Sequence, residues 1–463
     1  MKCAHLVAAS ALAVACIGDS TGLGSSIPAM IDEVSVQPNP HNTISAIVYV
    51  RVRHADSAAV RFRLADGNTT VDSVTPGVLV RDDSAVIPVL GLLPTRRYTI
   101  RAVAFGGDAV SVSRPLELTT DTLPSDLPAY TALGTEPSPG YVVFAASGFG
   151  IVIDNSGRVV WYRRFPNGPG LNFMAQPSGH FTARPSTPDP LDLERWLEVD
   201  ALGNITRTFG CALGLQSRFH DLIAGPDGDS WILCDETRTQ DLTTLGGSAA
   251  ARVTGTALQH ISRDGQLLFS WSPFDHFDVA DLDPADRSLA NVNWTHGNAL
   301  DVDGEGNIIL SFRTLGEVTK IDGSSGNVIW RLGGRRNQFT FQGTSVPAFA
   351  RQHGVRAYAS SALLVLDNMG DPTESRAERY VLDEATRTAQ LVESHGAGVV
   401  TQIGGSVQDL PDGRILVSFG TAGRVLEFDA AGRVVWQITE GARYVFRAQR
   451  INSLYAPGAG TTR

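Results

Sequence analysis

Residues 291–334, NVNWTHGNALDVDGEGNIILSFRTLGEVTKIDGSSGNVIWRLGG, read as two successive β-hairpins. The first opens on the polar run Thr295-His296-Gly297-Asn298, turns at Asp303-Gly304-Glu305-Gly306, and passes through the apolar Ile308-Ile309-Leu310 to Ser311-Phe312-Arg313. The second runs from Val318 to Asp322, turns at Gly323-Ser324-Ser325-Gly326, and returns through Val328-Ile329-Trp330. The unit is therefore four short antiparallel strands joined by Gly-rich turns.

The second hairpin recurs along the chain. It is found as IVIDNSGRVVW (151–161), LEVDALGNITRTF (197–209), HISRDGQLLFSW (260–271), TKIDGSSGNVIW (319–330), YVLDEATRTAQLV (380–392) and LEFDAAGRVVW (426–436). A period of roughly 45 to 60 residues is what a propeller of four-stranded blades requires, and six copies predict six blades. The segment Tyr444–Ile451 lies one strand beyond the sixth copy. Its expected place is beside the first blade, closing the ring and removing exposed sheet edges.

Composition agrees with an all-β, turn-rich chain. The 463 residues are 43% hydrophobic and include 47 Gly and 24 Pro. A net charge of −10 excludes nucleic-acid binding by simple electrostatics, and any anionic substrate must be held by a local cluster. At the N-terminus, Lys2 precedes an apolar run from Leu6 to Ala15 that reads as an export signal over residues 1–16. Ala13-Val14-Ala15-Cys16 resembles a bacterial lipobox, in which Cys16 would be acylated and attach the protein to a membrane; ordinary cleavage is the other reading. The expected location is the periplasm or cell surface. Cys211 and Cys234 could then pair in an oxidising compartment or sit as two buried thiols in neighbouring strands.

Residues 30–120 alternate like a small fibronectin- or immunoglobulin-like β-sandwich. Ile44, Ala46, Val48 and Val50 share one strand face, and Val60, Phe62 and Leu64 another. Leu93–Ile100 resembles the corner in which a Tyr hydroxyl ties back to the backbone. No catalytic cluster is evident there, and His41 and His54 read as surface residues. A Pro-, Thr- and Asp-rich linker, 121–139, leads to the propeller, 140–463.

The first hairpins, aligned on their turns, carry the chemistry. His220-Asp221 precedes GPDG, His296-Gly297-Asn298 precedes DVDGEG, His353-Gly354 precedes AYASSA, and Gly404-Gly405-Ser406 precedes LPDG. Three successive blades thus place a His at one height on the innermost strand, where strands distant in sequence converge. A lone His at a strand end is usually structural. Here blades two and six keep their turns without the His, which weakens that reading. Arg313 ends a buried run, and a buried Arg needs an anionic partner. No carboxylate stands beside it in sequence, so a ligand is the expected anion.

WTHGNALDVDGEGNIILSFR and KIDGSSGNVIWRLGG, with FHD upstream and RQHG downstream, resemble the bacterial aryl-sulfate sulfotransferases. The resemblance implies an exported six-bladed propeller with an N-terminal sandwich. It implies transfer of sulfuryl groups from aryl sulfates to phenols with no cofactor and no nucleotide sulfate donor. It also implies that His353 becomes transiently sulfated, while His220, His296, Asn298 and Arg313 cage the sulfuryl group. Thr295 and Ser406 complete the expected substrate-binding set. The family's disulfide shortly before the sulfated His has no counterpart, because residues 337–352 contain no Cys.

These residue types suit the reaction. Neutral imidazole attacks sulfur, Arg313 grips two sulfuryl oxygens in a fork, Asn298 donates without adding charge, and His296 or His220 handles the phenolic proton. Two other readings stay open: a non-catalytic propeller that binds a ligand or protein, and a zinc site built from three imidazoles, which Arg313 would oppose. The retention of all five polar positions argues against an idle propeller. Donor and acceptor phenols, physiological role and oligomeric state, a homodimer included, are left open by the sequence.

Overall fold

The computed structural model of the chain describes residues 27–65, 72–185, 195–344, 348–358, 361–371 and 373–456. The export signal and Cys16 lie outside the described residues. Among those described, the protein is all-β, with a single four-residue α-helix at Pro284–Arg287 and five 3-10 turns.

Two sheets form the N-terminal part. One pairs Met30–Pro38, Ala46–Arg53 and Ser84–Val89; the other is built on Ser57–Leu64 paired with Arg97–Gly106. Ile44, Ala46, Val48 and Val50 point inward and meet Val60, Ile100, Ala102 and Ala104 in a common core. The Tyr98 hydroxyl accepts the Leu93 N–H at 2.8 Å, the backbone tie foreshadowed by residues 93–100. That core continues into Phe144, Ile151 and Trp436, so the N-terminal sheets rest on the first and last sheets of the remainder. Thr43 N–H donates to the Tyr162 hydroxyl at 3.0 Å across this junction.

Six sheets follow in chain order, antiparallel but for one short parallel strand on each of the third and fifth, and each contains one copy of the repeated hairpin. The stretch quoted first forms the fourth sheet: Gly297–Val302, Ile308–Phe312, Glu317–Ile321 and Val328–Gly333 pair in that order. A local device explains the repetition. In five of the six hairpins an Asp (154, 200, 322, 383, 429) accepts two or more backbone N–H groups of its own turn through one carboxylate oxygen. The third hairpin uses the Ser262 hydroxyl instead. Side chains that satisfy turn donors in this way make these Asp-led turns readable without any long-range information. Indole N–H groups then tie sheet to sheet: Trp161 donates to Ala201 O at 2.8 Å, Trp196 to Arg218 O at 2.9 Å, and Trp436 to Asn155 O at 2.9 Å.

The first strand of each of sheets two to six lies beside that of the next. The Asn172 amide donates to His220 O, the Asp221 carboxylate accepts Leu300 N–H, the Asn298 amide donates to Gln352 O, and Ser406 bonds Ala448. Ala448–Ile451 supplies the missing inner strand of the first sheet by pairing with Tyr141–Ala146, where the sequence places it. One element departs from expectation. Thr131–Gly134, inside the stretch read as linker, is the outer fifth strand of the sixth sheet, paired with Val434–Glu440. Thr131–Gly134 and Ala448–Ile451 therefore fasten the first and last sheets together.

A chain ending at residue 443 is expected to expose the inner edge of Tyr141–Ala146 and to lose buried Phe446, Arg447 and Ile451. Size-exclusion chromatography and thermal unfolding should then show aggregation or a melting transition well below that of the whole chain. An unchanged, monodisperse transition would mean that the last strand is dispensable.

Candidate active site

The inner strands of the third, fourth and fifth sheets all break their ladders where the singled-out residues sit. Pairing jumps from Ser217 to Leu222, from Gly297 to Ala299, and from His353 to Arg356. Such bulges free backbone groups and redirect side chains. The strain is visible in the backbone: His296 has φ 51° and Arg351 φ 54°, left-handed values rarely adopted by residues with a Cβ. Gly354, at φ +59°, is required by proximity as well. A Cβ there would stand 2.7 Å from the Ser406 Cα of the next sheet.

The fold brings His220, His296 and His353 together. His353 is 1% exposed. Its Nδ1 bonds the side-chain oxygen of Asn368 at 2.8 Å, and its Nε2 accepts the Gly404 N–H at 3.3 Å. Asn368 is a member of the site that sequence reading missed. Burial pushes the His353 imidazole down to about 4, and nearby Arg313 and Arg447 act in the same direction against the bond to Asn368. The ring is neutral at neutral pH, with its proton on Nδ1 and the Nε2 lone pair toward the mouth formed by Gly404.

The other two imidazoles face each other through their Nε2 atoms. Arg218 Nε donates to His220 Nδ1 at 3.1 Å, so the His220 proton is on Nε2. From there it faces His296 Nε2 at 3.2 Å, and the Asn293 side-chain NH2 group donates to His296 Nδ1 at 2.6 Å. Burial lowers His220 well below the usual value, with Arg218 assisting. Burial and the guanidiniums of Arg218 and Arg313 hold His296 down to about 2. Neither ring is an imidazolium at neutral pH. Each offers a hydrogen bond or accepts a proton, and delivery of a full proton to a leaving group needs the field of a bound anion. Phe219 stacks on His220 at 4.1 Å between centroids, and Phe446 wedges between His220 and His353 at 5.9 and 6.2 Å.

Arg313 stands at the same mouth. Its N–H donates to His296 O at 3.0 Å and its Nη2 to Gln402 O at 3.3 Å. It is partly buried, it forms no ion pair with a carboxylate among the described residues, and burial depresses its pKa. Asn298 is fully buried; its amide N–H donates to Gln352 O at 2.6 Å, and its side-chain oxygen has no partner. The hydroxyls of Thr295 and Ser406 are engaged by backbone, Thr295 with Thr256 N–H at 2.8 Å and Ser406 with Ala448. Below the histidines, buried Asp221 holds Arg447 at 2.7 Å and Arg356 at 3.3 Å. Among the described residues no three His, Cys, Asp or Glu side chains gather as a metal-holding set.

Cys211 and Cys234 form a disulfide, with Cα atoms 6.1 Å apart. It stands behind His220 rather than His353. Cys234 is followed by Asp235, whose carboxylate pairs with Arg218, the residue that orients His220.

Because the three histidines have folded values below the ordinary 6.5, the unfolded chain binds more protons than the folded one between that value and about 4. Their contribution to stability is complete above pH 6.5 and is lost as the pH falls. Glu378, raised to about 7 by burial, has the opposite sign in part of this window, so the informative quantity is a difference. Denaturant unfolding from pH 7.5 to 4.5 should show a shallower acid loss for His353→Asn than for the parent chain. Parallel curves would mean that His353 is not held neutral.

The family model described as Arylsulfotransferase (ASST) matches residues 215–441. That span contains every site histidine, Asn298, Arg313 and Asn368. No curated protein matches the chain significantly. Similar solved structures include a protein of unknown function from Bacteroides caccae, with 12% identity, a TM-score of 0.44, and coverage of 67% of this chain and 98% of that one. A streptogramin B lyase has 12% identity, a TM-score of 0.38, and coverage of 68% and 85%. A calcium-binding regucalcin from Agrobacterium tumefaciens has 14% identity, a TM-score of 0.34, and coverage of 58% and 75%. Likenesses of this size carry no argument about chemistry. The family match lies over the residues whose geometry has just been described, and over that span the chain is similar to the arylsulfotransferase family.

Proposed function

We propose that the protein transfers a sulfuryl group from an aryl sulfate to a phenol through a covalent intermediate on His353. The observation that carries this reading is the buried, neutral His353, its Nδ1 proton held by Asn368 and its Nε2 beside Gly404 N–H, with Arg313, which forms no ion pair among the described residues, at the same mouth. In the first half-reaction the Nε2 lone pair, released from its hydrogen bond with Gly404 N–H, bonds to sulfur while the bond from sulfur to the aryl oxygen breaks, and that electron pair departs on the phenolate. Arg313 and the Gly404 N–H stabilise the sulfuryl oxygens. In the second, a phenol oxygen attacks sulfur, the N–S pair returns to Nε2, and the phenolic proton passes to the His220–His296 pair, whose depressed basicity the field of the bound anion must raise. Phenolates of low basicity leave unaided, so His220 and His296 should matter most for poor leaving groups.

In the same reading the six sheets are the blades of one closed propeller over residues 140–463, and residues 30–120 are a sandwich packed outside it. Export through residues 1–16, with Cys16 as a lipid anchor, is supported by the apolar run behind Lys2 and by the Cys211–Cys234 disulfide.

Excess 4-nitrophenyl sulfate without acceptor should release a burst of nitrophenol near one equivalent, and peptide mass analysis should place one sulfuryl group on the peptide holding His353. His353→Asn should abolish both signals. Arg313→Lys keeps the charge but loses the fork, and should lower turnover by about 2–4 kcal/mol of transition-state stabilisation. A sulfuryl group on His220 or His296 would reassign the nucleophile. No burst from any of several aryl sulfates would favour a ligand-binding propeller.

A further inference from the structure

His353 could present either ring nitrogen to sulfur, and something must choose. Its Nδ1 meets the side-chain oxygen of Asn368, which is fully buried on the strand turn that follows Asp367. That amide cannot turn round. Its NH2 group donates to Thr401 O at 2.9 Å and to Gly404 O at 3.0 Å, and reversal would set oxygen against two carbonyls. The surroundings are equally fixed. Ser375 Oγ donates to Asn368 O at 2.8 Å and accepts Thr401 N–H at 2.8 Å, and the Asp367 carboxylate gathers the N–H groups of Ala350, Met369 and Gly370. The 401–404 segment that locks Asn368 also receives Arg313 on Gln402 O, so nucleophile and anion-binding group share one support.

We propose that Asn368 is the positioning residue of the nucleophile, fixing His353 as the Nδ1–H tautomer and keeping that proton on the ring throughout the reaction. This rests on the sulfotransferase reading. An amide oxygen accepts a hydrogen bond but does not take the proton. With Nδ1 protonated, cleavage of the N–S bond returns an electron pair to Nε2 and releases neutral imidazole. A carboxylate in the same place could remove the proton once sulfur is attached, and the group leaving sulfur would then be an imidazolide anion, a far poorer one. The other groups acting on the ring are Arg313, Arg447, His220, His296 and the Arg351 backbone; the two guanidiniums are cationic, the two imidazoles are held neutral, a backbone carbonyl accepts a hydrogen bond without taking the proton, and none of the five removes it. An acid at position 368 should therefore separate the two half-reactions, an effect that loss of packing alone does not produce.

Rapid-mixing experiments with 4-nitrophenyl sulfate give the first half-reaction as the burst rate, and addition of phenol to the sulfated protein gives the second. Asn368→Asp should retain a burst within about 10-fold of the parent while slowing transfer to phenol by roughly 100-fold, so that sulfated protein accumulates. Asn368→Ala should slow the burst itself. Independently of any activity, the nitrogen resonances of His353 should show a proton on Nδ1 in the parent and a mixture of tautomers in Asn368→Ala. Half-reactions slowed equally by both variants would reduce Asn368 to a packing role, and a parent protein protonated on Nε2 would overturn the proposal. A parent protein with the Nδ1–H tautomer but no burst would overturn the sulfotransferase reading instead, leaving the tautomer assignment standing.

Discussion

An imidazole attacks sulfur only while it is uncharged, and in this protein burial is what keeps His353 so. Withdrawal from water disfavours the imidazolium, and the cationic Arg313 and Arg447 disfavour it further. The same withdrawal would protect an N-sulfated ring from hydrolysis. Much of the architecture serves this one condition. Inner strands pressed side by side exclude solvent, bulges turn the histidines into the excluded space, and left-handed His296 and Arg351 show the backbone strain that this placement costs.

Beneath the histidines, Asp221 ties the sheets together. Its carboxylate accepts Leu300 N–H from the fourth sheet, Arg356 from the fifth, and Arg447 from the terminal strand that completes the first. Arg356 and Arg447 share that carboxylate, and buried Asp301 acts on Arg447 as well. Removing one partner from such a buried group is costly, so the arrangement is rigid as well as charged.

The hairpin repeat was legible because its cause is local: Asp and Gly at fixed offsets satisfy and permit each turn. The three histidines were legible for a related reason, since equal offsets from equal turns imply equal heights on neighbouring strands. What escaped was set by distant partners. Thr131–Gly134 gains its identity as a strand only from Val434–Glu440, some three hundred residues away. Asn368 lies on no repeat position, and its role depends on a bulge opposite and two carbonyls beyond. Thr295 and Ser406 have the right chemistry for a ligand, yet their hydroxyls are engaged by backbone. The depression of His220 and His296, which removes a ready proton donor, follows from Arg218 and from burial, neither of which a motif reveals.

A covalent path through His353 displaces at sulfur twice, so the configuration at sulfur reports on it without reference to any one variant. Transfer from an aryl sulfate whose three non-bridging oxygens are distinguished by isotope should give net retention in the product ester. Net inversion would mean direct passage of the sulfuryl group from donor to acceptor, and His353 would then be a binding group rather than the nucleophile.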